Sequence, residues 1–401
     1  MSALVWVAAM LLAVCMEEPA VLLSPVKGAP IMVLLPDSPQ LAQQAFQRWE
    51  PAVSSHGWSL LAPTTADMLA PADMALRALE ATLEKVQARL APDRQRIYLV
   101  GEGAGASAVF YFASRRPDLW AAAAAVGGNP RSAIETNRLF AANTLHVPVL
   151  WLPPEQDRLA ESLRARLLQA GYNLAKPTRV PLSQAELLTW LAQHTRPTHP
   201  NRIDCETGDP AFGRCYWAQI TELDFSRRND VLGSSRVNLG SGAWLDLGRG
   251  FSVDAEAEGP GAVVSGLAQD YKGPLRVGDR IVAIAGKPIA DGRAYLEFME
   301  TQREERGVGV IVDRGPQRLR LEARIRLPQR QELSTARVQA EYLPETAELL
   351  IVTRGVAALR LHIPASWAAA RVNWNGLEAG TLTKGGCWQL RAGAAAIPCP
   401  Q

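Results

Sequence analysis

RIYLVGEGAGASAVFYFASRRPDLW, Arg96 to Trp120, reads as a strand, a tight turn and a helix. RIYLV (Arg96 to Val100) is, after its arginine, an apolar run with β-branched Ile97 and Val100, suited to a buried strand. AGASAVFYFASRRPDLW (Ala104 to Trp120) has the character of a helix packed through small residues. Between them GEGAG sets Gly101, Gly103 and Gly105 at alternate positions. Glycine enters positive φ at little steric cost, so Gly103 suits the apex of a sharp strand-to-helix turn.

Working outward, the same alternation extends from Ala29 to about Ala192. PIMVLL (Pro30 to Leu35), WSLLA (Trp58 to Ala62), AAAAAV (Ala121 to Val126), VPVLWL (Val147 to Leu152) and PTRVPL (Pro177 to Leu182) are short apolar runs. Amphipathic stretches lie between them, among them MALRALEATLEKVQARL (Met74 to Leu90) and RLAESLRARLLQAG (Arg158 to Gly171), the latter stopped by its glycine. The expectation is a doubly wound α/β sheet, with residues 28–197 as one domain. At 401 residues the chain is too long for a single core, so further domains are expected.

Strand, Gly-x-Nuc-x-Gly, helix resembles the nucleophile elbow of the α/β-hydrolases, secreted esterases and peptidases among them. At the nucleophile position this chain has Gly103, which has no atom able to attack a carbonyl. The resemblance also implies a triad acid after a later strand, and Asp157 in VLWLPPEQD (Val149 to Asp157) stands at that spacing. A loop acid capping the helix that begins near Arg158 is the other reading of Asp157. The implied histidine belongs in the loop near RVPLSQAE (Arg179 to Glu186), where there is none. His194 and His199 come about one helix too late, and His56, His146 and His362 lie elsewhere. Where the family often carries His-Gly after its first strand, this chain has Pro36 and Asp37, and a carboxylate there would oppose a developing oxyanion. Together these departures imply a degenerate hydrolase without catalytic residues. The alternative is a working esterase or peptidase with an unrecognised constellation.

The formal net charge of +2, with 48% hydrophobic and 20% charged residues, is ordinary globular composition and gives no basis for nucleic-acid binding. SALVWVAAMLLAVC (Ser2 to Cys15) is too short for a stable membrane span and suits a secretory signal, residues 1–15. No Lys or Arg precedes it. LAVC resembles a lipoprotein signal with Cys15 as the lipid anchor, although Val14 is larger than the usual residue. An exported protein, periplasmic or extracellular, is expected. Cys205, Cys215, Cys387 and Cys399 then form two local pairs, either disulfides or buried thiols. RIDCET and RCYWAQI read as two strands around a GDPAFG turn, a hairpin setting Cys205 opposite Cys215. No C-x-x-C or H-x-x-x-H spacing occurs, so neither a metal nor another cofactor is expected.

After Thr198 the chain becomes β-rich, with residues 198–242 expected as a hairpin and linker region. In LGRGFSVDAEAEGPGAVVSGLAQDYKGPLRVGDRIVAIAGKPI (Leu247 to Ile289), a turn ends at Gly278-Asp279, a strand follows, and a second turn falls at Ala285-Gly286. A helix-like stretch (Arg293 to Gln302) and a strand (Gly309 to Asp313) come next. This segment resembles a PDZ domain, residues 243–328. The resemblance implies a carboxylate-binding loop at Arg249, Gly250 and Phe251, with Val253 lining a groove for peptide or protein C-termini. A groove filled by the chain itself is the other reading. Residues 334–401 alternate apolar and polar residues, as in a small antiparallel module. The function these readings favour is an exported, non-catalytic hydrolase-like protein that binds partners through the groove.

Overall fold

The computed structural model describes residues 20–22, 26–63, 72–90, 92–155, 157, 159–177, 181–240, 242–248, 250–328 and 333–400. The signal-like segment 1–15, with Cys15, and Arg249 lie outside them. The chain divides into two compact units, one of residues 1–237 and 334–401, the other of residues 238–333.

In the first unit, strands β1 (Ala20–Leu22), β2 (Ile31–Leu35), β3 (Ser59–Ala62), β4 (Ile97–Glu102), β5 (Ala122–Val126), β6 (Val149–Leu152) and β7 (Leu174–Ala175) make one seven-stranded sheet. Its order is β1-β3-β2-β4-β5-β6-β7, parallel throughout except for β1. The last strand lies before the expected Pro177 to Leu182 run, of which residues 178–180 are not described. Helices α1 (Ala42–Ser55), α2 (Ala72–Leu90), α3 (Ala104–Arg115), α4 (Arg131–Glu135), α5 (Ala160–Gln169) and α6 (Gln184–Ala192) connect the strands.

Alternate strand residues divide between the two faces. Met32, Leu34, Tyr98 and Val100 share a core with Phe46, Trp49 and Val53 of α1 and Leu187, Leu188 and Leu191 of α6. On the other face Phe110 of α3 meets Trp151 of β6 edge-on, with ring centroids 5.7 Å apart. The helix after the elbow is shorter than the sequence suggests. It ends at Arg115 because the residue before Pro117 is driven out of the helical region, and Arg116 has φ −136° and ψ 66°. At α6, Ser183 and Glu186 form a capping box.

Beyond α6 come β8 (Arg202–Thr207), β9 (Arg214–Cys215) and β10 (Ala218–Leu223). The second unit follows: β11 (Trp244–Asp246), β12 (Phe251–Asp254), β13 (Ala262–Leu267), β14 (Arg280–Ile284), β15 (Lys287–Pro288), α7 (Gly292–Thr301), β16 (Arg306–Arg314) and β17 (Gln317–Arg326). It is an antiparallel sheet of order β11-β17-β16-β14-β13-β12, with β15 on β14 and a core that includes Tyr295 and Met299 of α7. Ala285 and Gly286, at φ 50° and 78°, turn the β14–β15 hairpin, as the sequence places it.

The chain then returns to the first unit through β18 (Ala336–Leu343), β19 (Glu348–Arg354), β20 (Val356–Ile363), β21 (Ala370–Trp374), β22 (Leu377–Leu382), β23 (Gly386–Arg391) and β24 (Ile397–Pro398). Two five-stranded sheets result, β24-β23-β20-β10-β9 and β22-β21-β19-β18-β8. They share a core containing Trp217, Trp367, Trp374 and Trp388. One pair, β19 with β21, is parallel.

The expected Cys205–Cys215 hairpin does not form. β8 pairs with β18, setting Cys205 beside Val338, while β9 pairs with β10, setting Cys215 beside Ala218. A capped 3-10 turn, Pro210–Phe212, carries the chain from one sheet to the other. The two cysteines nonetheless meet, with Cα atoms 6.3 Å apart across the shared core, and Cys387 lies 5.4 Å from Cys399. Both separations suit disulfides and agree with an exported chain. No helix among the described residues is long and apolar enough to cross a membrane.

Candidate functional site at the switch point of the parallel sheet

The chain runs from β2 outward to β3 and then crosses back to β4 on the other side of β2. Sheets of this type open a crevice beyond the carboxyl ends of the strands where the winding reverses. The residues following β2 and β4, Pro36-Asp37 and Gly103, meet there.

Gly103 sits at the N-cap of α3 with φ 54° and ψ −119°, a backbone conformation that a side chain disfavours. Its N–H donates to Val126 O at 3.0 Å, tying the turn to β5. A Cβ at position 103 would stand 2.0 Å from Oδ1 of Asp37. The flanking glycines serve close approach: a Cβ on Gly101 would lie 2.3 Å from Gly105 O, and one on Gly105 2.3 Å from Leu35 O.

The first free amide of α3 is already engaged. Ala104 N–H donates to Asp37 Oδ1 at 2.6 Å, so a carboxylate from the β2 loop caps the positive end of a helix 67 residues away in sequence. Glu102, between the glycines, accepts from Trp49 Nε1 at 2.9 Å and is ion-paired with Arg48, both on α1. The sequence marks Asp37 as a departure from the expected loop. That it reaches Ala104, and that α1 holds Glu102, depends on tertiary placement that no local pattern carries.

Asp157 also lies at the carboxyl end of the sheet, in the loop after β6. Its Oδ2 accepts from Asn129 Nδ2 at 3.1 Å and its Oδ1 from Leu159 N–H at 2.9 Å, while its carbonyl accepts from Ala160 N–H. These bonds shape the entry to α5.

All five histidines lie toward the other end of the sheet. His56 is two residues before Trp58, which stacks on Tyr98 near the start of β4 with centroids 4.8 Å apart. His146 precedes β6, its Nε2 2.6 Å from Arg202 O. His194 accepts from Tyr98 Oη at its carbonyl, and its buried Nε2 has no partner among the described residues. Burial holds the His194 imidazole below its ordinary pKa. His199 and His362 line a cavity with Ile97, the first residue of β4. Among the described residues no cluster of three His, Cys, Asp or Glu side chains could hold a metal ion.

In the second unit β12 is an edge strand, paired among the described residues with β13 alone, and β11 is the opposite edge. Phe251 and Val253 of β12, with Ala294 and Phe298 of α7, are half-buried apolar residues packed on that unit's core. Gly250 has φ 89°, and a Cβ on it would lie 2.4 Å from Ala268 Cβ. The fold itself therefore requires glycine at 250, independently of any ligand.

A scan against protein-family models returns no match, and a search of curated proteins returns none. Among solved structures, the chain is similar to a thermostable esterase at 15% identity, covering 44% of this chain and 58% of that one with a TM-score of 0.32. It is similar to the Bacillus cereus carboxylesterase at 14% identity, covering 45% and 95% with a TM-score of 0.35. It is also similar to the HtrA-type protease AlgW with decapeptide at 25% identity, covering 22% and 30% with a TM-score of 0.18. The chain thus spans 58% of the length of the thermostable esterase.

Proposed function

We propose that this is an exported, non-catalytic protein of α/β-hydrolase-like build whose second unit, a PDZ-like module, binds the C-termini of peptides or partner proteins. The observation that carries the non-catalytic half is the carboxylate of Asp37 on the amide of Ala104, beside an apex residue with no side chain. In a working elbow that amide would stabilise the oxyanion, and a fixed negative charge on it works against one. The placement of the histidines at the far end of the sheet supports the same reading, since a base must reach the nucleophile's proton.

For the binding half, support comes from β12 as an open sheet edge, with Phe251, Val253, Ala294 and Phe298 half-buried beside it. A peptide added to such an edge gains main-chain hydrogen bonds along the strand and an apolar seat for its last side chain. A serine hydrolase with an unrecognised constellation is the alternative, favoured by the intact turn at Gly103.

Treating the full chain with a fluorophosphonate probe separates the two. The expected result is no covalent adduct by intact mass; stoichiometric labelling of one serine would establish the alternative. Saturable binding of free C-terminal peptides tests the module independently.

A further inference from the structure

A cavity of about 310 Å³ lies at the amino ends of the parallel strands, away from Gly103 and inside the first unit. Its wall is formed by α2, the start of β4, the loop after α3, residues 196–199 and the β9–β10 turn. A cavity of this size accommodates a small metabolite.

The wall is rich in charge, and its ion pairs leave cations over. Arg116 is bound to both Glu80 and Asp118, and Arg214 reaches Asp118 at 3.3 Å. Those two carboxylates are therefore engaged. Arg196 makes no ion pair among the described residues: its Nε and Nη2 both donate to one carbonyl oxygen, Arg94 O, at 3.4 and 3.2 Å. Its Nη1 makes no bond among the described residues, nor does the guanidinium of Arg94. Asp118 and Asp93 act on Arg196 from further off but are already paired, with Arg116 and Arg214 and with Arg96 respectively, and the remaining carboxylate lining the cavity, Glu84, is exposed on α2. Burial holds His199 below its ordinary pKa against an opposing hydrogen bond to the His362 backbone, with Arg196 a smaller contribution in the same sense as burial, and burial, then Arg214 and Arg360, lowers that of His362.

Tyr216 supplies an independent observation. It is 7% exposed, it lines the cavity, and its hydroxyl has no hydrogen-bond partner among the described residues. Buried phenols ordinarily find one. It also occupies the first place of the two-residue turn between β9 and β10 at φ 53°, where Asn or Gly is usual and a bulky aromatic is strained. The Cys205–Cys215 pair on one side and the bond from Trp217 Nε1 to Pro200 O, at 2.7 Å, on the other hold the turn in place.

We propose that this cavity is a binding site for a small oxyanion, a carboxylate or phosphate group, received by the free Nη1 of Arg196 and the hydroxyl of Tyr216. Both groups are donors, and a guanidinium with a hydroxyl beside it matches the lone pairs of an oxyanion. Calorimetric titration of the full chain with inorganic phosphate and, separately, with succinate, at fixed ionic strength, tests it. Saturable one-to-one binding of either is expected and identifies which oxyanion the site takes. Arg196→Gln should weaken it about tenfold or more and Tyr216→Phe several-fold, with unchanged circular dichroism. If Arg196→Gln does not fold, Tyr216→Phe still decides, because it removes one oxygen from a side chain that keeps its packing. Absence of saturable binding by both anions, equal affinity in wild type and Tyr216→Phe, or saturable binding of spermidine in their place would overturn the proposal.

Discussion

Oδ1 of Asp37 accepts the amide hydrogen of Ala104 at 2.6 Å and stands 2.0 Å from where a side chain at Gly103 would begin. The two positions are therefore coupled. Gly103→Ser must displace the carboxylate as well as take up an unfavourable backbone conformation, the latter costing about 1–3 kcal/mol. Asp37→Ala alone loses a helix cap worth about 1 kcal/mol. The double variant should be more stable than the sum of the single losses predicts, by on the order of 1 kcal/mol, because removing the carboxylate makes room for the hydroxyl. Urea unfolding of the four proteins measures this. None of them should hydrolyse p-nitrophenyl acyl esters above a Gly103→Ala control; turnover by the double variant would reveal a base nearby.

The cysteine pairs should differ in what they hold together. Cys205–Cys215 joins two sheets through a shared core, whereas Cys387–Cys399 secures the last strand to its neighbour. Each closes a short loop, of sequence separation 10 and 12, for which chain entropy gives somewhat under about 3 kcal/mol. Peptide mapping without reduction should recover both pairs from oxidatively expressed protein. Cys205→Ala with Cys215→Ala should lower stability more than the matching pair at 387 and 399, since its thiols are the more deeply buried. Equal losses would mean that entropy alone matters.

Glu206 should act as a pH-dependent clamp. It is 1% exposed and accepts from Ser234 Oγ at 2.6 Å, Ser235 N–H at 2.6 Å, Ser235 Oγ at 2.8 Å, Thr335 Oγ1 and Arg354 Nη2 at 3.0 Å. Burial pushes its carboxyl up, but these bonds outweigh burial and hold it below its ordinary value. A group with a depressed folded-state pKa contributes stability above its unfolded pKa, about 4.3, and loses it as pH falls through the folded value. Glu206→Gln should therefore cost about 3 kcal/mol at pH 7, leaving Arg354 and two hydroxyls imperfectly paired. The gap between wild type and variant should narrow as pH falls below about 4. A gap independent of pH would place the effect in packing rather than charge.

Local pattern made much of the architecture legible. The apolar runs at Pro30, Trp58, Arg96, Ala121 and Val147 lie in parallel strands because a strand buried on both faces needs no partner identity to be recognised. Gly103 could be placed at a turn apex from its flanking strand and helix alone. Pairings over long separations could not. Cys205 lies beside Val338, and nothing near residue 205 specifies a partner strand that far along the chain. The bond from Ala104 to Asp37 and the orphaned hydroxyl of Tyr216 were hidden for the same reason. Both arise where segments distant in sequence converge.

Peptide binding at β12 should depend on a free carboxylate and on the apolar residues beside the strand. Gly250→Val cannot test this alone: at φ 89° and with Ala268 Cβ in the way, it would distort the loop whether or not a ligand uses it. The ligand is the better variable. Free C-terminal peptides selected on the full chain should bind saturably, and their C-terminal amides should not, because amidation removes the charge that a carboxylate-binding loop would receive. Phe298→Glu should weaken binding by about tenfold or more through loss of apolar contact. Arg249→Ala should weaken it modestly and reduce its salt dependence, because salt screens the attraction between a guanidinium and a carboxylate. If amides and acids bind alike while Phe298→Glu still abolishes binding, the strand edge is a docking surface for internal peptide segments, and the C-terminal carboxylate has no part in recognition.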